Sequence, residues 1–230
     1  MEMPGIGVLN EKPLHASLKE WYSRPGDRFE VPVDGFVVDI VRGRQLLEIQ
    51  TGGFSSLRSK LRRLLPEHRV RLIYPIALEK WIIKLPVDES EEPTRRRSPK
   101  KGRVEDLFRE MVSFPDLFAD PHFSVEALLT RQEEVRSFDG KRGWRRKGWI
   151  VEERRLIDVV RSRRFDRPSD WLELLPEVLG HLFTTADMSE AMSIRRDLAQ
   201  KMAYCLRGTG VIDIAGKRGR WNLYRIPDRH

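Results

Sequence analysis

Positions 36–41 ("FVVDIV") and 46–51 ("LLEIQT") are short runs rich in apolar and β-branched residues, with "RGRQ" between them. That pattern predicts two strands joined in a hairpin. Gly43, at the first central position of the turn, suits a two-residue II′ loop. Helical spacing replaces this pattern on either side. "NEKPLHASLKEWY" (10–22) predicts a helix with Asn10 as cap, Pro13 in its first turn and Leu14, Leu18 and Trp21 on one stripe. "GGFSSLRSKLRRLLPEHR" (52–69) predicts another, with Ser55 near its start, Leu57, Leu61 and Leu64 on one stripe and Pro66 at its end. "RFEVPV" reads as a short extended segment before the hairpin, and "VRLIYPI" and "KWIIKLPV" as two compact strands after it. The expected order is α-β-β-β-α-β, an α/β fold with a mixed sheet flanked by helices.

Residues 89–103, "ESEEPTRRRSPKKGR", contain no large apolar residue and read as a charged linker after a first region at 1–88. Residues 104–167 read as a helix, "VEDLFREMVSFPDLF", followed by strands "FSVEALLTRQEEVRSF" and "WIVEERRLIDVV" around a basic tip. They either complete the first region or stand as their own unit. From 168 to 230 the expectation is a separate domain of three helices and a β-hairpin. Ser169 caps the first helix, Thr185 the second, Gly208 closes the third, and "KRGR" is the hairpin turn.

Polar residues inside the first hairpin change the picture. With Gly43 and Arg44 as the loop, Asp39 falls directly opposite Glu48, and Gln50 joins Glu48 on one polar face while Leu47 and Ile49 point to the core. Like charges facing each other across a sheet repel unless something positive lies between them, and a divalent ion answers that need. The formal charge of +8 is spread evenly, +3 over 1–88, +3 over 89–166 and +2 over 167–230, but bunches in "RRRSPKKGR", "KRGWRRKG", "RSRRFDR" and "GKRGRW". Any one run is a solubilising loop; four, two of them with an interleaved tryptophan, point to phosphate backbones. No apolar run of membrane-spanning length and no secretion signal stand in the sequence, so a soluble, cytoplasmic protein is expected, nucleoid-associated if it binds DNA. One cysteine and scattered histidines give neither a disulfide framework nor a zinc site.

Asp39, eight residues, then Glu48-Ile49-Gln50, with Glu11 upstream and a helix after the last strand, resembles the core of the PD-(D/E)XK nuclease superfamily over about the first 88 residues. The resemblance implies a restriction endonuclease-like fold and Mg²⁺ or Mn²⁺ held by Asp39 and Glu48, with Glu11 as a further acid. Gln50 stands where the family has lysine, a position the resemblance makes catalytic and from which its amide can orient water but carry no positive charge, and Val38 stands where the family has proline before the aspartate. Lys60, beside the Leu57/Leu64 stripe, is placed either to supply the missing positive charge or to reach solvent. Residues read without the family give Glu11 as a first-turn acid on the helix dipole. Gly52 and Gly53 read as a strand-to-helix turn.

Residues 168–227 resemble a winged-helix domain. The resemblance implies that Arg195, Arg196, Gln200 and Lys201 on the third helix, and Lys217, Arg218 and Arg220 in the wing, contact nucleic acid while Leu198, Met202, Cys205 and Leu206 face the core. Trp144, between Arg142 and Arg145-Arg146, is the stacking candidate, whereas Trp21, Trp81 and Trp171 are expected in the core. Together these readings give a DNA-binding, metal-dependent endonuclease of phosphodiester bonds, for which cutting both strands of a duplex calls for a homodimer. The alternatives are a nuclease-like DNA-binding or regulatory protein without activity, or an assembly factor whose winged helix docks another subunit.

Overall fold

The computed structural model describes residues 12–227 except 89 and 143. The chain divides into two compact units. One comprises the chain up to Asp27, Pro75–Arg103 and Leu128–Ser162; the other comprises Arg28–Tyr74, Val104–Ala127 and the chain from Arg163.

A seven-stranded mixed sheet carries the architecture. Its strands are β1 (Arg28–Val33), β2 (Phe36–Arg42), β3 (Gln45–Ile49), β4 (Arg69–Lys84), β5 (Thr94–Arg97), β6 (Phe123–Phe138) and β7 (Trp149–Phe165), in the order β1-β2-β3-β4-β6-β7 with β5 also on β4. β1 to β3 run antiparallel, and β3 pairs in parallel with β4 from Gln45↔Arg69 to Ile49↔Ile73. A parallel neighbour needs a crossover. It is made by a 3-10 turn, Phe54–Leu57, running into helix α2 (Arg58–Leu64), which buries Leu57, Leu61 and Leu64 as expected. Helix α1 (Pro13–Tyr22) precedes β1, so the α-β-β-β-α-β order holds; the expected cap Asn10 and the acid Glu11 lie outside the described residues.

Several expectations are corrected. The two strands expected at 70–76 and 80–87 are one, β4. Pro75 does not interrupt it, because by alternation its missing N–H faces the edge between Ile73, the last residue paired with β3, and Ala77, whose carbonyl accepts from Gly102. The charged segment 89–103 is not all linker, since Thr94–Arg97 form β5. Charge is no obstacle there: Arg95 and Arg97 lie over the Trp81 ring, and their guanidinium groups meet Glu133 and Glu79. Trp81 is therefore half-buried, not core, and Trp21 is 50% exposed because Tyr22, four residues after Leu18, takes the inward position on α1. The helix expected over 104–118 is a 3-10 turn (Val104–Leu107), one turn of helix α3 (Phe108–Met111) and another 3-10 turn (Pro115–Ala119).

From Pro168 the chain forms 3-10 turns at Pro168–Leu174 and Glu177–Leu179, then β8 (Leu182–Phe183), α4 (Thr185–Ala191), α5 (Arg196–Gly208), β9 (Asp213–Arg218) and β10 (Trp221–Arg225). The second sheet has the order β8-β10-β9. The first expected helix is thus only 3-10 turns, stopped at Pro176. Asp170, not Ser169, closes its start by accepting from the Asp166 and Arg167 N–H groups. Thr184, not Thr185, caps α4, in a reciprocal box with Asp187.

Position 167/168 is not a boundary of packing either. Trp171 stacks on Phe165 at 3.8 Å and meets Phe108 and Phe118 edge-on; Phe118 stacks on Phe114, and Phe114 on Phe54 just after β3. Gly208 lies so close to Pro115 that a Cβ there would stand 2.8 Å from the proline Cβ, and Arg109 binds Asp197 at 2.8 Å. One aromatic core therefore serves both the hairpin region and the carboxy-terminal elements of the second unit.

A candidate acid and lysine site on the first hairpin

Arg42 pairs with Gln45, leaving Gly43 and Arg44 as a two-residue loop with Gly43 at φ 57, as the turn chemistry predicts. Ladder pairing runs on to Ile40↔Leu47. At the next row the Asp39 side chain takes over, its Oδ2 accepting from the Ile49 N–H at 2.7 Å. Across β1 the same row is irregular too, with Glu30 at φ 51. Asp39 and Glu48 thus stand together where the strands part.

Glu48 is not on a solvated face, which corrects the picture of one polar and one apolar side to β3. It is 8% exposed, and Leu46 beside it is as buried as Leu47 and Ile49 on the other face. Lys60 reaches down from α2 and donates to Glu48 Oε1 at 2.5 Å and to the Val37 carbonyl at 2.6 Å. Of the two uses open to Lys60, the geometry takes the inward one. Burial first, and then the negative charge of Asp39, push the Glu48 carboxyl up to about 7 against the opposing pull of the Lys60 ammonium. Its second oxygen, Oε2, is buried without a hydrogen-bond partner among the described residues. Gln50 turns its amide Nε2 to the Gly53 carbonyl at 2.7 Å and so braces the turn into α2. Glu110 of α3, which no spacing in the sequence marks, accepts from the Phe54 N–H at 3.3 Å and closes the same turn.

Among the described residues no group of three or more His, Cys, Asp or Glu side chains is placed to hold a metal ion. Two carboxylates with one orphaned buried oxygen still fit an ion of the magnesium type, which keeps most of its waters and binds through one or two carboxylates. They do not fit zinc, which takes three or four protein ligands.

The second set of candidates divides. Arg196 and Arg220 flank the Trp221 ring, with guanidinium carbons 4.4 and 4.7 Å from its centre. Gln200, Arg220 and Trp221 line a cavity of about 210 Å³ with Thr185, Asn222 and Tyr224. Arg195 is turned onto Asp197 and Arg218 onto Asp187, both at 3.0 Å; Lys217 is exposed and Lys201 half-buried. Trp221 is the tryptophan of the basic run "GKRGRW", but the sequence did not single it out as a stacking residue as it did Trp144. Cys205 is buried, and that burial pushes its thiol up to about 12, as fits a small apolar residue. In the other unit, Trp144 is 80% exposed on the 3-10 turn Trp144–Arg146, with the Arg145 guanidinium 5.1 Å from its ring centre and Arg146 exposed beside it.

Residues 12–166, and with them Asp39, Glu48, Gln50 and Lys60, match the family described as Domain of unknown function (DUF8091). The chain belongs to this family. The family match ends before the 3-10 turn at Pro168, so the Trp221 cavity lies outside it. An "Uncharacterized protein" of Treponema pallidum (strain Nichols) is 31% identical over 222 residues, which is 96% of this chain and 87% of the relative. No solved structure matches the chain. No helix among the described residues is long and apolar enough to cross a membrane.

Proposed function

We propose that this DUF8091 chain is a DNA-binding protein whose first hairpin carries a metal-dependent phosphodiester-hydrolysing site of the PD-(D/E)XK type. The observation that carries the reading is Glu48: a carboxylate buried beside a second carboxylate, with an unpartnered oxygen and a lysine on the other. Left alone, that arrangement is costly, and a divalent cation relieves it. Asp39 and Glu48 would hold the ion, which supplies charge to polarise a scissile phosphate and lower the pKa of a bound water. Lys60, held on Glu48 Oε1, would stand in for the lysine that Gln50 replaces and supply the positive charge beside the phosphate. Asp39 fixes the site by holding the Ile49 N–H where the ladder ends.

The carboxy-terminal elements support the DNA-binding half. Two helices beside a sheet of order β8-β10-β9, a turn at Gly219-Arg220 and the Arg196–Trp221–Arg220 stack support the reading of a winged helix that meets a duplex. A second reading, a DNA-binding protein without activity, is favoured by the closed ion pair of Lys60 with Glu48 and by the engagement of the Gln50 amide with Gly53. Incubating the purified protein with linear, nicked, branched and single-stranded DNA, with and without Mg²⁺ or Mn²⁺, separates the two. Metal-dependent cleavage that Asp39→Asn abolishes supports the site; binding without cleavage of any substrate leaves the second reading.

A further inference from the structure

The opposite face of the same hairpin carries positive charge. Cross-strand pairing sets Arg42 against Gln45 and Gln45 against Arg69, so one row of the sheet reads Arg-Gln-Arg. Alternation places Gln45 on the face away from Glu48, and Arg71, two residues after Arg69, shares it. Arg44 joins from the turn. These four arginines and Gln45 line a cavity of about 470 Å³, closed by the chain around His122 where β6 begins. Among the residues that line the cavity the acid is Asp166. Asp166 at the rim is bound to Arg164 at 2.6 Å, and Glu126 lies 3.7 Å from Arg71. Arg44 and Arg69 have no ion pair among the described residues. Like charges gathered along one sheet row disfavour each other unless an anion sits among them.

We propose that this cavity binds a terminal phosphate group, carried either by the end of a nucleic-acid strand or by a free nucleotide. Guanidinium forks meet phosphate oxygens two at a time, and several converging forks need more than one charge to satisfy them. An internal phosphodiester offers a single charge and two unesterified oxygens. A terminal phosphate carries ≈ −1.5 to −2 charge and three acceptor oxygens, which matches arginines converging from two segments of chain, 42–44 and 69–71. The volume lies within the ~300–1,000 Å³ range of sites that enclose a small ligand, so a nucleotide unit can follow its phosphate in. Because Glu48 faces the other way, this site does not depend on hydrolysis at the first.

The test uses the full chain in chelator, so that no probe is consumed. Three probes are titrated: ATP, and one 12-residue single strand with either a 5′-phosphate or a 5′-hydroxyl. The proposal expects the phosphorylated strand, or ATP, to bind with at least a tenfold advantage over the hydroxyl strand. Arg44→Ala with Arg69→Ala should abolish that advantage while changing the hydroxyl strand less than twofold. Both positions are exposed, so the fold should be retained, which circular dichroism checks. Arg44→Lys with Arg69→Lys should recover only part of the advantage, because charge returns without the fork. A gain seen with ATP alone assigns the site to free nucleotides; a gain seen with the phosphorylated strand alone assigns it to strand ends. Asp39→Asn should leave the advantage unchanged, which separates this proposal from the hydrolytic one. No phosphate-dependent gain with any probe, or a gain that survives the alanine pair, overturns it.

Discussion

Two hairpins in the second unit turn on Arg-Gly-Arg, at 42–44 and 218–220, with Gly43 at φ 57 and Gly219 at φ 63. Their turns are alike and their surroundings are not. β2 and β3 have a neighbour on both sides, and α2 sends Lys60 down onto them; four consecutive residues of β3 are buried. β9 and β10 have only β8 beside them, and most of their residues are exposed. The same kind of ion pair therefore has different consequences. Lys60 and Glu48 face each other with side chains 12% and 10% exposed, where water screens little, whereas Arg218 and Asp187 are 57% and 39% exposed. A charge in the first hairpin is buried and fixed by its partner; in the second it stands largely in solvent.

Substituting the cation of each pair tests that contrast most strongly. Lys60→Met should destabilise the metal-free protein by about 3 kcal/mol at pH 8, and by less at pH 5, where Glu48 takes a proton instead. Arg218→Ala should cost no more than about 0.5 kcal/mol at either pH. Urea denaturation in chelator measures both, and equal losses would break the comparison.

The pH dependence of stability comes next. The Glu48 carboxyl is raised from an ordinary 4.5 to about 7, so the folded state holds this proton more tightly than the unfolded chain does. Its contribution is full below 4.5 and is lost as pH rises through about 7, on the order of 3 kcal/mol in all. In chelator the melting temperature should fall over that window. Glu48→Gln should flatten the fall, and Mg²⁺ should restore stability above pH 7. A wild-type profile that rises across the window contradicts the placement of Glu48.

Asp39→Asn should act in the other direction. Its amide oxygen can still accept from Ile49, and the charge that raises Glu48 is gone, so the chelated protein should gain about 1 kcal/mol, or roughly 2–4 °C in melting temperature. Loss of stability would make Asp39 a structural acceptor only. The smallest effect belongs to the second hairpin. Arg196→Ala with Arg220→Ala should leave the fold intact and reduce the slope of log affinity against log salt by about 2. An unchanged slope would remove these arginines from the phosphate contacts.

The turn of the first hairpin was legible in the sequence because its signals are local, the glycine at the turn and an extended apolar run on either side, whereas the expected pairing of Asp39 with Glu48 is not part of the ladder, which ends at Ile40↔Leu47. Lys60 was legible as a choice between two directions, since its position beside the Leu57/Leu64 stripe allows both; only the packing of α2 against β2 and β3 decides it. The burial of Glu48 was not legible. Alternation says which residues share a face, and it does not say whether a helix covers that face. Strand β5 and the 3-10 turns after Pro168 were missed for a related reason, because what stabilises them, Glu79 and Glu133 for the arginines and the Phe108/Phe118 rings for Trp171, lies far away in sequence. The arginine row was readable in principle, from the alternating "RVR" at 69–71, once β3 and β4 are known to run in parallel.

The central claim is that Asp39 and Glu48 together form a divalent-cation site with Lys60 at its side. Calorimetric titration of Mg²⁺ at pH 8 into the wild-type chain and into Asp39→Asn tests it directly. The account predicts one saturable ion per wild-type chain, with proton release appearing when the titration is repeated below pH 7, and no saturable binding to the variant. Equal affinity in both proteins, or no binding to the wild type, would contradict it and leave the buried pair of Lys60 and Glu48 as structure alone.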